Sequence, residues 1–159
     1  MIIGIPLVII FFSILGCIEI KRPVVRGILG IIAGINIMIV VLATGFIYET
    51  EYKIHEVADS ISQDGMYVLL FQQVGDPDWP FGHTHARLVL KDESGTISKY
   101  SFDVLNDGGN VQPDSWKVTW KENCVEAVIS GEEQNDSQYI LYFDGKTDSN
   151  QLETRHGMP

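Results

Sequence analysis

Two stretches of this chain carry no charged side chain, and they constrain its fold more than any other feature. Ile2 to Ile18 reads IIGIPLVIIFFSILGCI, and Gly27 to Tyr48 reads GILGIIAGINIMIVVLATGFIY. At 1.5 Å of rise per residue, about 20 apolar residues cross a bilayer as a helix. The two runs hold 17 and 22. Neither shows a polar stripe at helical spacing, which a long surface helix of a soluble domain would need. The sequence therefore predicts a hairpin of two transmembrane helices over residues 1–48.

Two competing processing events are weighed against that reading. A cleaved secretory signal places basic residues ahead of its apolar core, yet Met1 alone precedes the first run. ILGC, ending at Cys17, has the outline of a lipidation site, but the basic leader is missing and Lys21 and Arg22 follow at once. Orientation comes from the linker EIKRPVVRG, which holds Lys21, Arg22 and Arg26. Basic residues beside span ends stay in the cytoplasm. The linker is thus expected inside, with the N-terminus and everything after Tyr48 on the extracytoplasmic side of the cell membrane. Gly30 and Gly34 form a GxxxG with Gly27 one turn earlier, a spacing that lets helices approach closely, either on the first span or in self-association. Asn36 is expected to bond across helices. No ionisable side chain lies in either run, which argues against a pump or transporter.

Beyond the membrane segment the charge changes sign. Residues 49–159 hold eight Lys or Arg and twenty Asp or Glu, a net charge of −12. Nucleic acid and anionic lipid headgroups are disfavoured partners for such a surface. A protein partner at the cell surface with a basic face, or a cation, suits it better, and solubility alone accounts for many acidic surfaces. In residues 49–65, Ile54, Val57, Ala58 and Ile61 fall at i, i+3, i+4 and i+7, which predicts a juxtamembrane helix or linker closed by Gly65. From Met66 to Gly145 the pattern alternates instead. Segments 66–74, 85–92, 97–104, 116–121, 124–130 and 138–145 read as about six strands joined by short polar turns, a small antiparallel β-sandwich or barrel. The tail, residues 146–159, has no core pattern and is expected to be disordered.

Candidate site residues gather in GDPDWPFGHTH, residues 75–85. His83 and His85 alternate onto one face of a strand, and Asp76 and Asp78 could complete a metal site from across the loop, in a metal sensor or metal-dependent enzyme. Against this, Pro77 and Pro80 stiffen the backbone and Gly75 and Gly82 permit bends, so the stretch also reads as a rigid loop presenting Trp79 and Phe81 to a partner. Glu132 and Glu133 in SGEEQND are further candidate contacts. That cluster with Asp136, and Asp103, Asn106, Asp107 and Asn110 in DVLNDGGN, offer oxygen ligands for calcium, but neither has the spacing of an EF-hand loop. Cys124 reads as a small core residue. There is no HExxH or CxxC, no defensible pairing of nucleophile with base and no phosphate-binding glycine motif, so the sequence implies no cofactor.

VGDPDWPFGHTHARLVL, NDGGNV, and SGEEQND ahead of YILYFDG resemble segments of small uncharacterised extracytoplasmic proteins of Gram-positive bacteria. The resemblance covers residues 66–145 and implies an outer β domain without an assigned activity. The expectation is therefore a non-enzymatic binding or interaction module on a two-span anchor, with the metal-dependent reading as its alternative.

Overall fold

The computed structural model describes residues 4–19, 21–78, 80–132 and 134–152. They divide into two compact units that meet between Thr50 and Glu51. The first unit is helical. α1 runs Gly4–Glu19 and α2 runs Pro23–Ile47, continuing through a π-helical turn at Tyr48–Tyr52. Pro23 opens α2, where its missing N–H costs nothing and its fixed φ favours helix.

α2 with its continuation, Pro23–Tyr52, is 30 residues long and the one described helix long and apolar enough to cross a membrane. Among the described residues one spanning helix is shown where the sequence predicts two. α1 and α2 pack together, with Ser13 and Ala33 buried in this unit. Among the described residues, a Cβ built on Gly27, Gly30 or Gly34 meets nothing within 4 Å. Asn36 uses one amide N–H within its own helix, Nδ2 donating to the Ile32 carbonyl at 2.9 Å.

The second unit is all β. Its eight strands are β1 (Ile54–Ile61), β2 (Val68–Val74), β3 (His83–Asp92), β4 (Gly95–Leu105), β5 (Trp116–Trp120), β6 (Cys124–Gly131), β7 (Gln134–Tyr142) and β8 (Thr147–Gln151). They form two antiparallel meanders in sheet orders β1-β2-β3-β4 and β5-β6-β7-β8. The sheets face each other across one core. Leu69, Phe71, Leu88, Leu90 and Val104 from the first meet Val125, Ala127, Ile129 and Leu141 from the second, all with no exposure. Stacked rings fill the gaps: Phe102 on Tyr139 at 4.2 Å between centroids and Tyr67 on Phe143 at 4.1 Å. Side-chain bonds tie the two open sides of the sandwich, Trp120 Nε1 donating to Ser60 Oγ at 3.0 Å and Tyr100 Oη meeting Ser149 Oγ at 2.9 Å.

Eight strands rather than six follow from two corrections. Residues 54–61 form β1, not a helix. The register slips between Glu56 and Ala58, which leaves Val57 an extra residue; Val57 and Ala58 pack against the core while Ile54 and Ile61 stay exposed, so the four apolar positions share no face. Residues 147–151 form β8 on the edge of the second sheet, with all five side chains exposed and Leu152 N donating to Asp136 O at 2.8 Å. An edge strand held by its backbone alone needs no apolar face, so the tail carries no pattern to read. Expectations for Trp79, Glu133, residues 153–159 of the tail and the Cys17 side chain fall outside the described residues.

Candidate functional site

One end of the sandwich is built from the β2–β3 loop (residues 75–82) and the β4–β5 connection (residues 106–115), which hydrogen-bond to each other. The β2–β3 loop closes on itself: Asp78 N donates to His83 O at 2.9 Å and Gly82 N to Asp78 O at 2.8 Å. The turn is so tight that a Cβ on Gly82 would lie 2.3 Å from the Asp78 Cβ, so only glycine fits. Gly108, at φ +72°, donates its N–H to Gly82 O at 3.2 Å and brings the second loop against Pro80.

Two buried polar side chains lock this platform to the strands. Gln73, at the end of β2, donates from Nε2 to Gly75 O at 2.9 Å and to Asn110 Oδ1 at 2.7 Å, and its Oε1 accepts from Val111 N at 3.1 Å. Thr84 on β3 has no exposure and donates to Gly109 O at 2.6 Å. The alternation of β3 turns Thr84 inward and leaves its neighbours His83 and His85 on the outer face.

The structure distributes the candidate residues unevenly. Asp78 and His85 come together, joined by Asp103, which lies opposite His85 in the β3–β4 register. His85 Nδ1 is 2.6 Å from Asp103 Oδ1, and Nε2 is 3.8 Å from Asp78 Oδ1. The hydrogen bond to Asp103 raises the His85 pKa above the ordinary histidine value. Burial opposes the rise, and the charges of Asp103 and Asp78 add to it. His83 is exposed on the same face, opposite Leu105. Asp76 belongs to a separate cleft of about 310 Å³ lined also by His55, Glu56, Gln73 and Asn110. Among the described residues, no three or more His, Cys, Asp or Glu side chains are grouped to hold a metal ion.

Phe81 is 75% exposed although the loop beneath it is fixed. Glu132 lines a polar groove of about 490 Å³ with Asn106, Asp107, Asn110 and Asp114, so the oxygen-rich turns of the sequence do share one surface. Asp103 does not join them, because it sits in β4 beside His85. Cys124 is buried, and burial pushes its thiol pKa up, which suits a packing role over nucleophilic chemistry. Sequence reasoning missed Asp103 as the partner of His85, and Gln73 and Thr84 as the locks. The inward position of Thr84 in β3 is the one signal that alternation could have supplied. Comparison with protein-family models, with curated proteins and with solved structures returns no match, and the functional reading rests on this geometry.

Proposed function

We propose that the chain is a membrane-anchored β domain, displayed on the extracytoplasmic side by a two-span hairpin, that acts as a non-enzymatic binding or interaction module. The contact surface is the β2–β3 loop around Phe81, flanked by the acidic groove that holds Glu132. The observation carrying this reading is a large aromatic side chain left 75% exposed on a loop whose described residues are tied by backbone hydrogen bonds. Burying a Phe side chain is worth roughly 1.5–3 kcal/mol, and a rigid loop loses little entropy when a partner covers it. The acidic domain favours a protein partner with a basic face over nucleic acid. Lys21, Arg22 and Arg26 between the helices support the orientation. The open face of Gly30 and Gly34 is available for self-association of the anchor.

Photocrosslinking in native membranes tests this. A photoreactive residue at position 81 of the full chain should give a discrete adduct, and one at Gln63, in the β1–β2 connection at the other end of the sandwich, should not. Equal adduct formation from both positions, or none from position 81, contradicts the proposal.

A further inference from the structure

The open side of the sandwich between β4 and β8 holds a groove of about 370 Å³ that shares no residue with the β2–β3 loop. That volume lies within the roughly 300–1,000 Å³ of small-molecule sites. One wall is aromatic. Tyr100 and Phe102, two apart on β4 and half-buried, each lie against Tyr139 of β7, with ring centroids at 5.3 Å and 4.2 Å. The other wall is polar, with Ser149 and Gln151 of β8 on it and Ser101 at the rim.

This lining differs in chemistry from the domain around it. Residues 49–159 hold eight Lys or Arg against twenty Asp or Glu, a net charge of −12, yet none of the described residues lining the groove is charged. Strand alternation removes the charges. Lys99 and Asp103 take the outer face of β4, opposite Val89 and His85, and Asp148 takes the outer face of β8, opposite Ile140. Aromatic, hydroxyl and amide groups are what remain. Ser101 and Gln151 are exposed and make no side-chain hydrogen bond among the described residues, so both are free to donate to and accept from a ligand.

We propose that this groove binds an uncharged oligosaccharide. A sugar ring has apolar C–H faces and an edge of hydroxyls, so its faces stack on Tyr100 and Phe102 while its hydroxyls pair with Ser101 and Gln151. A charged polymer would meet no counter-charge on entering. A peptide strand is disfavoured for a different reason. β4 is hydrogen-bonded to β3 alone and offers a backbone edge, but the contact of Tyr100 Oη with Ser149 Oγ at 2.9 Å bridges from that edge to β8 and crosses the path of an added strand. The site goes beyond the contact surface around Phe81 and stands or falls apart from it.

The test uses the full chain in lipid nanodiscs, titrated by NMR with cellotetraose, maltotetraose and chitotetraose, each uncharged. At least one should shift the amides of Tyr100, Ser101 and Gln151, and saturation of the aromatic rings should transfer to its C–H protons. The double variant Ser101→Ala, Gln151→Ala should bind that sugar about tenfold more weakly, since two hydrogen bonds are lost. Its melting temperature should match the unmodified chain, because both side chains are exposed. No binding by any of the sugars, shifts confined to other residues, or an affinity unchanged in the double variant would each overturn the proposal. It would equally be overturned by groove amides that shift with protein concentration alone, the mark of a second copy on the β4 edge, or that an uncharged Thr/Val peptide shifts as strongly as any sugar.

Discussion

Gln73→Ala is the substitution with the most to say about the contact platform. The side chain is 4% exposed and makes three hydrogen bonds, to Gly75 O, Asn110 Oδ1 and Val111 N. Asn110 is exposed and recovers its bond from water. Gly75 and Val111 are buried, so a carbonyl and an N–H lose their partners where water does not reach. At about 1–3 kcal/mol for each of the two buried polar groups left unpaired, the expected loss is roughly 2–6 kcal/mol, before the smaller cost of the lost packing. For a domain of this size, that lowers the melting temperature by at least about 8 °C. Near-ultraviolet circular dichroism of the full chain in detergent reports it, since Trp116 and Trp120 pack against the core. Asn110→Ala is the control and should cost under about 1 kcal/mol. A Gln73→Ala protein within 0.5 kcal/mol of the unmodified chain, by the measure of about ±0.5 for neutral surface changes, would refute the lock.

Three further outcomes are expected. Gly82→Ala places a methyl 2.3 Å from the Asp78 Cβ and should open the turn, seen as a fall of the His85 pKa toward the ordinary histidine value in an NMR titration. Phe81→Ala should change stability by no more than about 0.5 kcal/mol, because the ring is already exposed, while abolishing adduct formation from a photoreactive residue at neighbouring Pro80. The pH dependence of stability has a definite sign at His85. Its folded pKa is raised, so its contribution is fully present below the unfolded histidine value near 6.5 and is lost as pH rises through the folded value. Melts of Asp103→Asn across pH 5–8 should show that component largely gone, because Asp103 is its main cause.

What the sequence makes legible follows from which patterns are local. The centre of the domain is read well: β3 and β4 alternate strongly from Ala86 to Val104, and the Trp116, Val118, Trp120 face of β5 points to the core as its spacing predicts. The edges are not. In β1 only Val57 and Ala58 pack against the core and Ile54 and Ile61 are exposed, so no alternation marks it as a strand, and β8 has no apolar face to betray it. The same limit applies at the site. His83 and His85 are visible as a pair on one strand, but Asp103 is 18 residues from His85 and becomes its partner only through the β3–β4 register. Asp76 and Asp78 are two apart in sequence yet serve different surfaces, because the backbone turns sharply between Gly75 and Gly82. Asn36 illustrates the converse, a polar residue one of whose amide N–H groups finds a carbonyl four residues away in its own helix.

Display of the β domain outside the membrane underlies every functional statement above, and labelling of intact cells tests it most directly. Glu93 is exposed in the β3–β4 turn, and Val24 is 73% exposed beside the linker between the helices. In a background where Cys17 and Cys124 are replaced by serine, Glu93→Cys should react with a membrane-impermeant maleimide before permeabilisation, and Val24→Cys only after it. Glu93→Cys reacting only after permeabilisation would place the domain in the cytoplasm and contradict the account.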